Sequence, residues 1–130
     1  NEQITYGMRN GAIETLKDCG AIDDNILLWE VPGSFELVHA TKRMLDTTEV
    51  DAIIVIGCVI QGETRHFDFV CQGVTQGIAQ LNAEQNKVPV IFCVLTDNTF
   101  QQSLDRSGGK LGNKGVEAAI TAIKMAVLGK

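Results

Sequence analysis

Residues 52–60 read AIIVIGCVI and residues 88–95 read VPVIFCVL, and these two apolar runs decide the fold. Both are rich in Val and Ile, and neither alternates between apolar and polar side chains. That pattern is typical of parallel strands that helices cover on both faces. Residues 26–31 form a third, weaker run. The sequence therefore predicts a parallel sheet with three strands in this chain.

Apolar side chains recur at helical spacing in the segments around these strands. Residues 4–19, 35–44 and 67–81 predict three helices, residues 99–106 a short one, and residues 116–128 a long terminal one. The order is helix, strand, helix, strand, helix, strand, helix, helix. Such alternation is typical of an α/β sandwich, and no repeat or linker interrupts it, so we expect one domain over residues 1–130.

Charge and composition exclude several classes of protein. The 130 residues include 11 Lys and Arg against 16 Asp and Glu, a net charge of -5, which argues against binding to nucleic acid or to a membrane surface. A hydrophobic content of 45% excludes disorder. No apolar run approaches the roughly 20 residues that span a bilayer, and no signal peptide opens the chain. We expect a cytoplasmic protein.

The four cysteines, at positions 19, 58, 71 and 93, form no CxxC pair. With only two histidines in the chain, they give no plausible zinc site, and the aspartates are too scattered to form another metal site. We expect reduced thiols that pack as small apolar groups. The alternative is a catalytic Cys–His pair, for which Cys71 near His66 is the only candidate.

Polar residues collect where the predicted strands end. VPGSFE at 31–36 follows the first run, IQGETRHFD at 60–68 follows the second, and TDN at 96–98 follows the third. Ligands of open parallel sheets bind outside the carboxyl ends of the strands. This clustering is a stronger indication of function than any single residue.

His66 is the most informative residue of that cluster. It lies where a loop becomes a helix, and the backbone N–H groups at a helix N-terminus can bind an anion such as phosphate. A histidine there, with an ordinary pKa of about 6.5, could transfer protons at neutral pH. The alternative is a capping or packing histidine. His39, on the second predicted helix, is expected to be structural.

Two other segments resemble known motifs without fitting them. Ser34 lacks the flanking glycines of the G-x-S-x-G nucleophile elbow, so we expect it to cap a helix. GGKLGNKG at 108–115 fits neither GxxxxGK[ST] nor GxGxxG, so we expect a flexible connector between two helices.

Four stretches carry a resemblance to a known family: VPGSFEL at 31–37, GCVIQGETRHFDFV at 57–70, VPVIFCVLT at 88–96, and DRSGGKLGNKGVEAA at 105–119. In these the chain resembles the 6,7-dimethyl-8-ribityllumazine synthases of riboflavin biosynthesis. The resemblance implies a flavodoxin-like three-layer αβα sandwich with a parallel sheet. It also implies condensation of 5-amino-6-(D-ribitylamino)uracil with 3,4-dihydroxy-2-butanone 4-phosphate, without cofactor or metal.

The same resemblance implies roles for individual residues. His66 would be the catalytic acid and base. The substrate-binding residues would be Asn1; Ser34, Phe35 and Glu36 at the ribityl chain; Cys58, Val59, Ile60 and Phe92 at the pyrimidine; Glu63, Thr64 and Arg106 at the phosphate; and Lys114 close to both substrates. Arg106 would come from the adjacent subunit, because the family assembles as pentamers, some of them in icosahedral capsids.

Three further expectations concern the start of the chain and its function. A doubly wound domain normally begins with a central strand, and the family places a first strand just before the residue matching Asn1, so we expect that this strand precedes the sequence given. A non-enzymatic module that binds a flavin or a lumazine is the competing function, since fold does not fix function. A third possible function is that of a structural shell protein, and a shell protein can also be an enzyme.

Overall fold

The two long apolar runs form the centre of the fold in the computed structural model, which describes residues 1–130. The helices are α1 (Glu2–Asp18), α2 (Leu37–Thr47), α3 (His66–Glu84), α4 (Phe100–Arg106) and α5 (Lys114–Ala126). The strands are β1 (Ile53–Ile60), β2 (Val90–Asp97), β3 (Ser107–Gly109) and β4 (Gly112–Asn113). Short 3-10 helices lie at Asp23–Asn25 and Ser34–Glu36. No helix is both long and apolar enough to cross a membrane.

β1 and β2 are parallel neighbours, and α3 connects them. Their register runs from Ile53 opposite Val90 to Ile60 opposite Asp97. Both strands therefore end at the same edge of the sheet, and the segments that follow them begin side by side. This geometry confirms the predicted parallel arrangement for the second and third runs.

Helices cover both faces of this sheet. On one face α2 and α3 pack over β1 and β2, with a core of buried aliphatic side chains that includes Val55, Val74 and Ile78. On the other face α1 and α5 enclose a second core, which includes Met8 and Cys93. The three layers confirm the predicted α/β sandwich.

Glycines let α1 pack closely against α5 and against β3. A Cβ atom built on Gly115 would lie 1.8 Å from the backbone oxygen of Met8, and one built on Gly7 would lie 2.7 Å from the backbone oxygen of Ser107. Asn113 reinforces this contact, since its Nδ2 donates to the Gly7 oxygen at 3.0 Å. Only a residue without a side chain permits such close backbone packing at positions 7 and 115.

The prediction of a strand at residues 26–31 was wrong. This segment has no ladder partner, and its Leu28 and Trp29 line a groove of about 320 Å³ together with Ile54 and Ile56 of β1. An apolar run favours extended backbone, but a strand also needs a neighbour within hydrogen-bonding distance. Residues 26–31 are apolar, but they have no neighbouring strand to pair with.

The prediction of a flexible connector after α4 was also wrong. β3 and β4 form a small antiparallel ribbon, in which Gly108 and Gly112 adopt positive φ values of 120° and 87°. Asn113 ties the ribbon to α1 and also accepts from the Gly115 backbone N–H at 2.8 Å, which caps α5. These bonds order a glycine-rich segment that local sequence alone suggests is mobile.

Candidate active site

His66 is the first residue of α3 and stands beside the carboxyl end of the sheet. The loop of residues 61–65 leads to it from β1. The Gln61 backbone N–H donates to the backbone oxygen of Asp97 at 3.0 Å, so the loop starts from a fixed point. Thr64 Oγ1 accepts from the backbone N–H of His66 at 3.3 Å. The imidazole is exposed and free to meet a ligand.

Residues 34–36 form the opposite wall, and glycines allow their close approach. A Cβ on Gly57 would lie 2.6 Å from the hydroxyl of Ser34, and a Cβ on Gly73 would lie 2.9 Å from the ring of Phe35. These contacts place the segment against the end of β1 and the side of α3. The predicted capping role of Ser34 was wrong, because Gly33 occupies the N-cap position of the 3-10 helix and no side chain caps it.

The two walls enclose a surface cleft of about 500 Å³. Its lining residues are Gly33, Ser34, Phe35, Glu36, His66, Phe69 and Val70. The structure therefore brings together His66 and the whole of the predicted ribityl segment. The groove beside β1 adjoins this cleft through Gly33 and Ser34, and it is lined in part by Asn1 and Cys58.

The start of α3 is suited to an anion. Glu63 and Thr64 lie exposed in the loop directly before it, and the 19-residue helix presents its positive dipole end there. The guanidinium of Arg65 adds a positive charge nearby and lies 5.3 Å from the centre of the Phe69 ring. A phosphate placed at this point would be close to His66.

Several predicted site residues lie elsewhere in the single chain. Phe92 is in the middle of β2 and is 41% exposed. Arg106 ends α4, where its Nη1 donates to the Gln102 oxygen at 2.9 Å, and Lys114 Nζ lies 3.3 Å from Glu117 Oε1. None of the three lines the cleft that contains His66. Val59 and Ile60 are half-buried at the end of β1, and neither lines the cleft or the groove.

Comparison with known proteins identifies the family. Residues 1–130 match the family model described as 6,7-dimethyl-8-ribityllumazine synthase. The chain belongs to this family. Proteins of that name from Flavobacterium johnsoniae and Flavobacterium psychrophilum are 66% and 62% identical over 128 residues, which is 98% of this chain and 67% of each relative. The one from Bacteroides fragilis is 58% identical over 125 residues, 96% of this chain and 87% of the relative.

The thiols of this lumazine synthase family member are unpaired, and three of them are poor nucleophiles. Burial raises the pKa of Cys58 and of Cys71, and it raises the pKa of Cys93 to about 11. Asp68 raises the pKa of Cys71 further. Because the thiolate is the reactive form, these shifts argue against Cys71 as a partner of His66 in nucleophilic catalysis.

Two further groups of side chains bear on catalysis: possible metal ligands and the second histidine. No three His, Cys, Asp or Glu side chains converge closely enough to hold a metal ion. The second histidine, His39, is exposed on α2, and its Nε2 lies 2.9 Å from Arg43 Nη2.

One polar contact near the candidate site has no clear signal in the sequence. Ser103 is fully buried in α4, and its hydroxyl donates to Asp97 Oδ2 at 2.8 Å. The only signal is a hydroxyl residue at a sheet-facing position of a short helix. Its partner could not be identified from sequence, because the pairing depends on where α4 crosses the sheet.

Proposed function

We propose that this lumazine synthase family member condenses 5-amino-6-(D-ribitylamino)uracil with 3,4-dihydroxy-2-butanone 4-phosphate. The products are 6,7-dimethyl-8-ribityllumazine, phosphate and water, and the reaction takes place in the cytoplasm. The observation that carries the proposal is the cleft in which His66 faces Ser34, Phe35 and Glu36 beside the N-terminus of α3. It offers a proton carrier, polar groups for a ribityl chain and an anion site in one place.

The reaction requires several proton transfers, which one imidazole can supply. Attack of the 5-amino group on the ketone gives an imine and releases water. Loss of the proton at C3 then drives elimination of phosphate, with cleavage of its C–O bond, and the resulting enol tautomerises to a second carbonyl at C3. The ribitylamino nitrogen closes the ring on the second carbonyl, with loss of another water. His66 takes and returns protons in these steps, since a histidine exchanges protons readily near neutral pH.

The chain's other residues bind and orient the substrates. Glu63 and Thr64, at the start of α3, hold the phosphate through their backbone N–H groups, and the positive end of the helix dipole stabilises its charge as it leaves. Ser34, Phe35 and Glu36 hold the ribityl chain, and the backbone of Cys58, Val59 and Ile60 meets the pyrimidine, with Asn1 beside it. Holding two polar substrates in reactive orientation can contribute on the order of 7–11 kcal/mol. His66→Ala is therefore expected to slow the reaction without abolishing it.

The proposal includes a homopentamer with its sites between neighbouring subunits. Arg106, Lys114 and Phe92 do not line the His66 cleft of their own chain, which supports their contribution to a neighbour's cleft. Large apolar side chains around the cleft support an interface there, since Phe35 is 59% and Phe69 61% exposed. The assembly is a pentamer or a capsid of pentamers, and sedimentation distinguishes these.

Subunit mixing tests the shared site. His66→Ala and Arg106→Ala subunits are each assayed alone and then co-expressed. If His66 and Arg106 come from different subunits, about a quarter of the sites in a randomly mixed ring contain both native residues. Activity should then rise well above that of either parent. His39→Ala is the matched control for loss of a histidine, and it should retain native activity.

Two results would overturn parts of this proposal. If the mixed assembly is no more active than its parents, His66 and Arg106 do not form a site across subunits. If the intact assembly binds the lumazine but never forms it from the two substrates, the chain is a binding module and not an enzyme.

A further inference from the structure

A buried hydroxyl joins three elements at the carboxyl edge of the sheet. Ser103, in α4, is 0% exposed. Its Oγ donates to the carboxylate of Asp97 at 2.8 Å, at the end of β2. The Cys58 thiol, near the end of β1, lies 3.4 Å from the same Oγ and donates to it. The Ser103 hydroxyl thus donates to a residue of β2 and accepts from a residue of β1.

Asp97 connects this contact to the loop that precedes His66. Its backbone oxygen accepts from the Gln61 N–H at 3.0 Å, and Gln61 is the first residue of that loop. Its carboxylate accepts from Ser103. One residue therefore anchors the His66 loop through its main chain and α4 through its side chain.

The α4 helix carries Arg106 at its last position, three residues after Ser103. It has only seven residues, and the Thr99–Gln102 capping box fixes its beginning. The Arg106 side chain follows the helix, because its Nη1 donates to the Gln102 oxygen at 2.9 Å. A tilt of α4 would therefore move the guanidinium, and the bond from Ser103 to Asp97 holds the middle of the helix against the sheet.

We propose that Ser103 is a positioning residue that, through Asp97, sets the placement of α4 and hence of the Arg106 guanidinium. The proposal rests on the proposed function, in which Arg106 binds the phosphate of a neighbouring site. The hydrogen bond to a carboxylate is charge-assisted, so it fixes geometry better than a neutral contact. Without the hydroxyl, the thiol of Cys58 and the carboxylate of Asp97 both lose a partner in a confined space.

The test separates binding of the two substrates. In Ser103→Ala we expect the KM for the butanone phosphate to rise about fivefold to tenfold, because a misplaced phosphate ligand costs binding at that subsite alone. The KM for the diaminouracil and kcat should change by less than about twofold. Thr41→Val is the matched control, since Thr41 is also a buried hydroxyl, donating to the Leu37 oxygen at 2.6 Å on α2. It should leave both KM values unchanged.

A second readout does not depend on turnover. Inorganic phosphate is titrated against the thermal unfolding midpoint, and the concentration needed for a fixed rise of that midpoint should increase in Ser103→Ala by the same factor as the KM. If the wild-type protein forms no lumazine, the proposed function fails, while phosphate titration still tests Ser103. If Ser103→Ala does not fold, Ser103→Cys, which keeps the side-chain size with a weaker donor, is measured in its place.

A double-mutant cycle that combines Ser103→Ala with Asp97→Ala tests whether Ser103 acts through Asp97. If Ser103 acts through Asp97, the double variant should lose no more phosphate affinity than the more severe single variant. Additive losses would overturn the route through Asp97. Equal increases in both KM values, or unchanged phosphate affinity in a folded Ser103 variant, would overturn the positioning role itself.

Discussion

Gly115→Ala places a methyl group where the structure has backbone. The added Cβ would lie 1.8 Å from the Met8 oxygen, which is 1.6 Å less than the 3.4 Å lower limit of ordinary contact. Both clashing groups belong to the main chains of packed helices, so no side-chain rotation relieves the overlap. α1 and α5 would have to separate, and that opens the core between them, which includes Ile4 and Ala118.

The expected loss of stability combines a steric cost with a gain in helix propensity. Overpacking costs about 1–3 kcal/mol where side chains can adjust, and more where backbone must move. Alanine regains about 1 kcal/mol of helix propensity over glycine. We therefore expect a net loss of about 3 kcal/mol in the free energy of unfolding. For a urea m-value of about 1–3 kcal/mol/M, the midpoint should fall by about 1–3 M.

Urea unfolding followed by far-UV circular dichroism measures this loss, at one fixed protein concentration because assembly contributes to stability. Gly62→Ala is the matched control, since a Cβ at Gly62 meets nothing within 4 Å. In Gly7→Ala the added Cβ would lie 2.7 Å from the backbone oxygen of Ser107, so the stability of this variant should lie between those of Gly115→Ala and Gly62→Ala. A Gly115→Ala protein as stable as the Gly62→Ala control would refute the reasoning.

Three further predictions concern other parts of the chain. Asn82 donates to the backbone oxygen of Val90 and accepts from its backbone N–H, each at 2.9 Å. Asn82→Ala should therefore lower the free energy of unfolding by about 1–2 kcal/mol. Urea titration measures this loss, and an unchanged midpoint would contradict it. Burial, reinforced by Glu117, raises the pKa of Cys93 to about 11 from 9.0, so the stability that the protonated thiol contributes is complete below pH 9 and lost by about pH 11. Cys93→Ala should therefore lose less unfolding free energy than the wild type over that range, by up to about 3 kcal/mol. Parallel curves of stability against pH would contradict this prediction. Arg106→Ala should raise the KM for the butanone phosphate by about 10- to 100-fold, because a charge-assisted contact is lost. Steady-state kinetics measures this KM, and an unchanged value would show that Arg106 does not bind the phosphate.

Local pattern predicted most of the regular structure. The runs at 52–60 and 88–95 correspond to β1 and β2 within two residues at each end, and every predicted helix is present. Apolar spacing reports on which side of an element faces the core, and this information lies within a few residues of sequence. It does not report on partners, which is why residues 26–31 were assigned to a strand.

Long-range contacts explain what the sequence left out. The ribbon after α4 is ordered by bonds between Asn113 and Gly7, which are 106 residues apart. The proximity of His66 to residues 34–36 does not follow from strand ends, because residues 26–31 form no strand; it depends on the packing of Ser34 against Gly57 and of Phe35 against Gly73. The contact of Ser103 with Asp97 could not be predicted either, since it depends on the angle at which a seven-residue helix crosses the edge of the sheet. The roles of Phe92, Arg106 and Lys114 stay predictions of the family resemblance, because one chain does not bring them to His66.

The most direct test of the central claim is product formation from the diaminouracil and the butanone phosphate, followed by lumazine absorbance and fluorescence. Wild type, His66→Ala and the His39→Ala control are compared at neutral pH. We expect the wild type and His39→Ala to form the lumazine at the same rate, and His66→Ala to form it much more slowly. Equal rates for all three proteins would contradict the role of His66, and the absence of product from the intact wild-type assembly would contradict the proposed function.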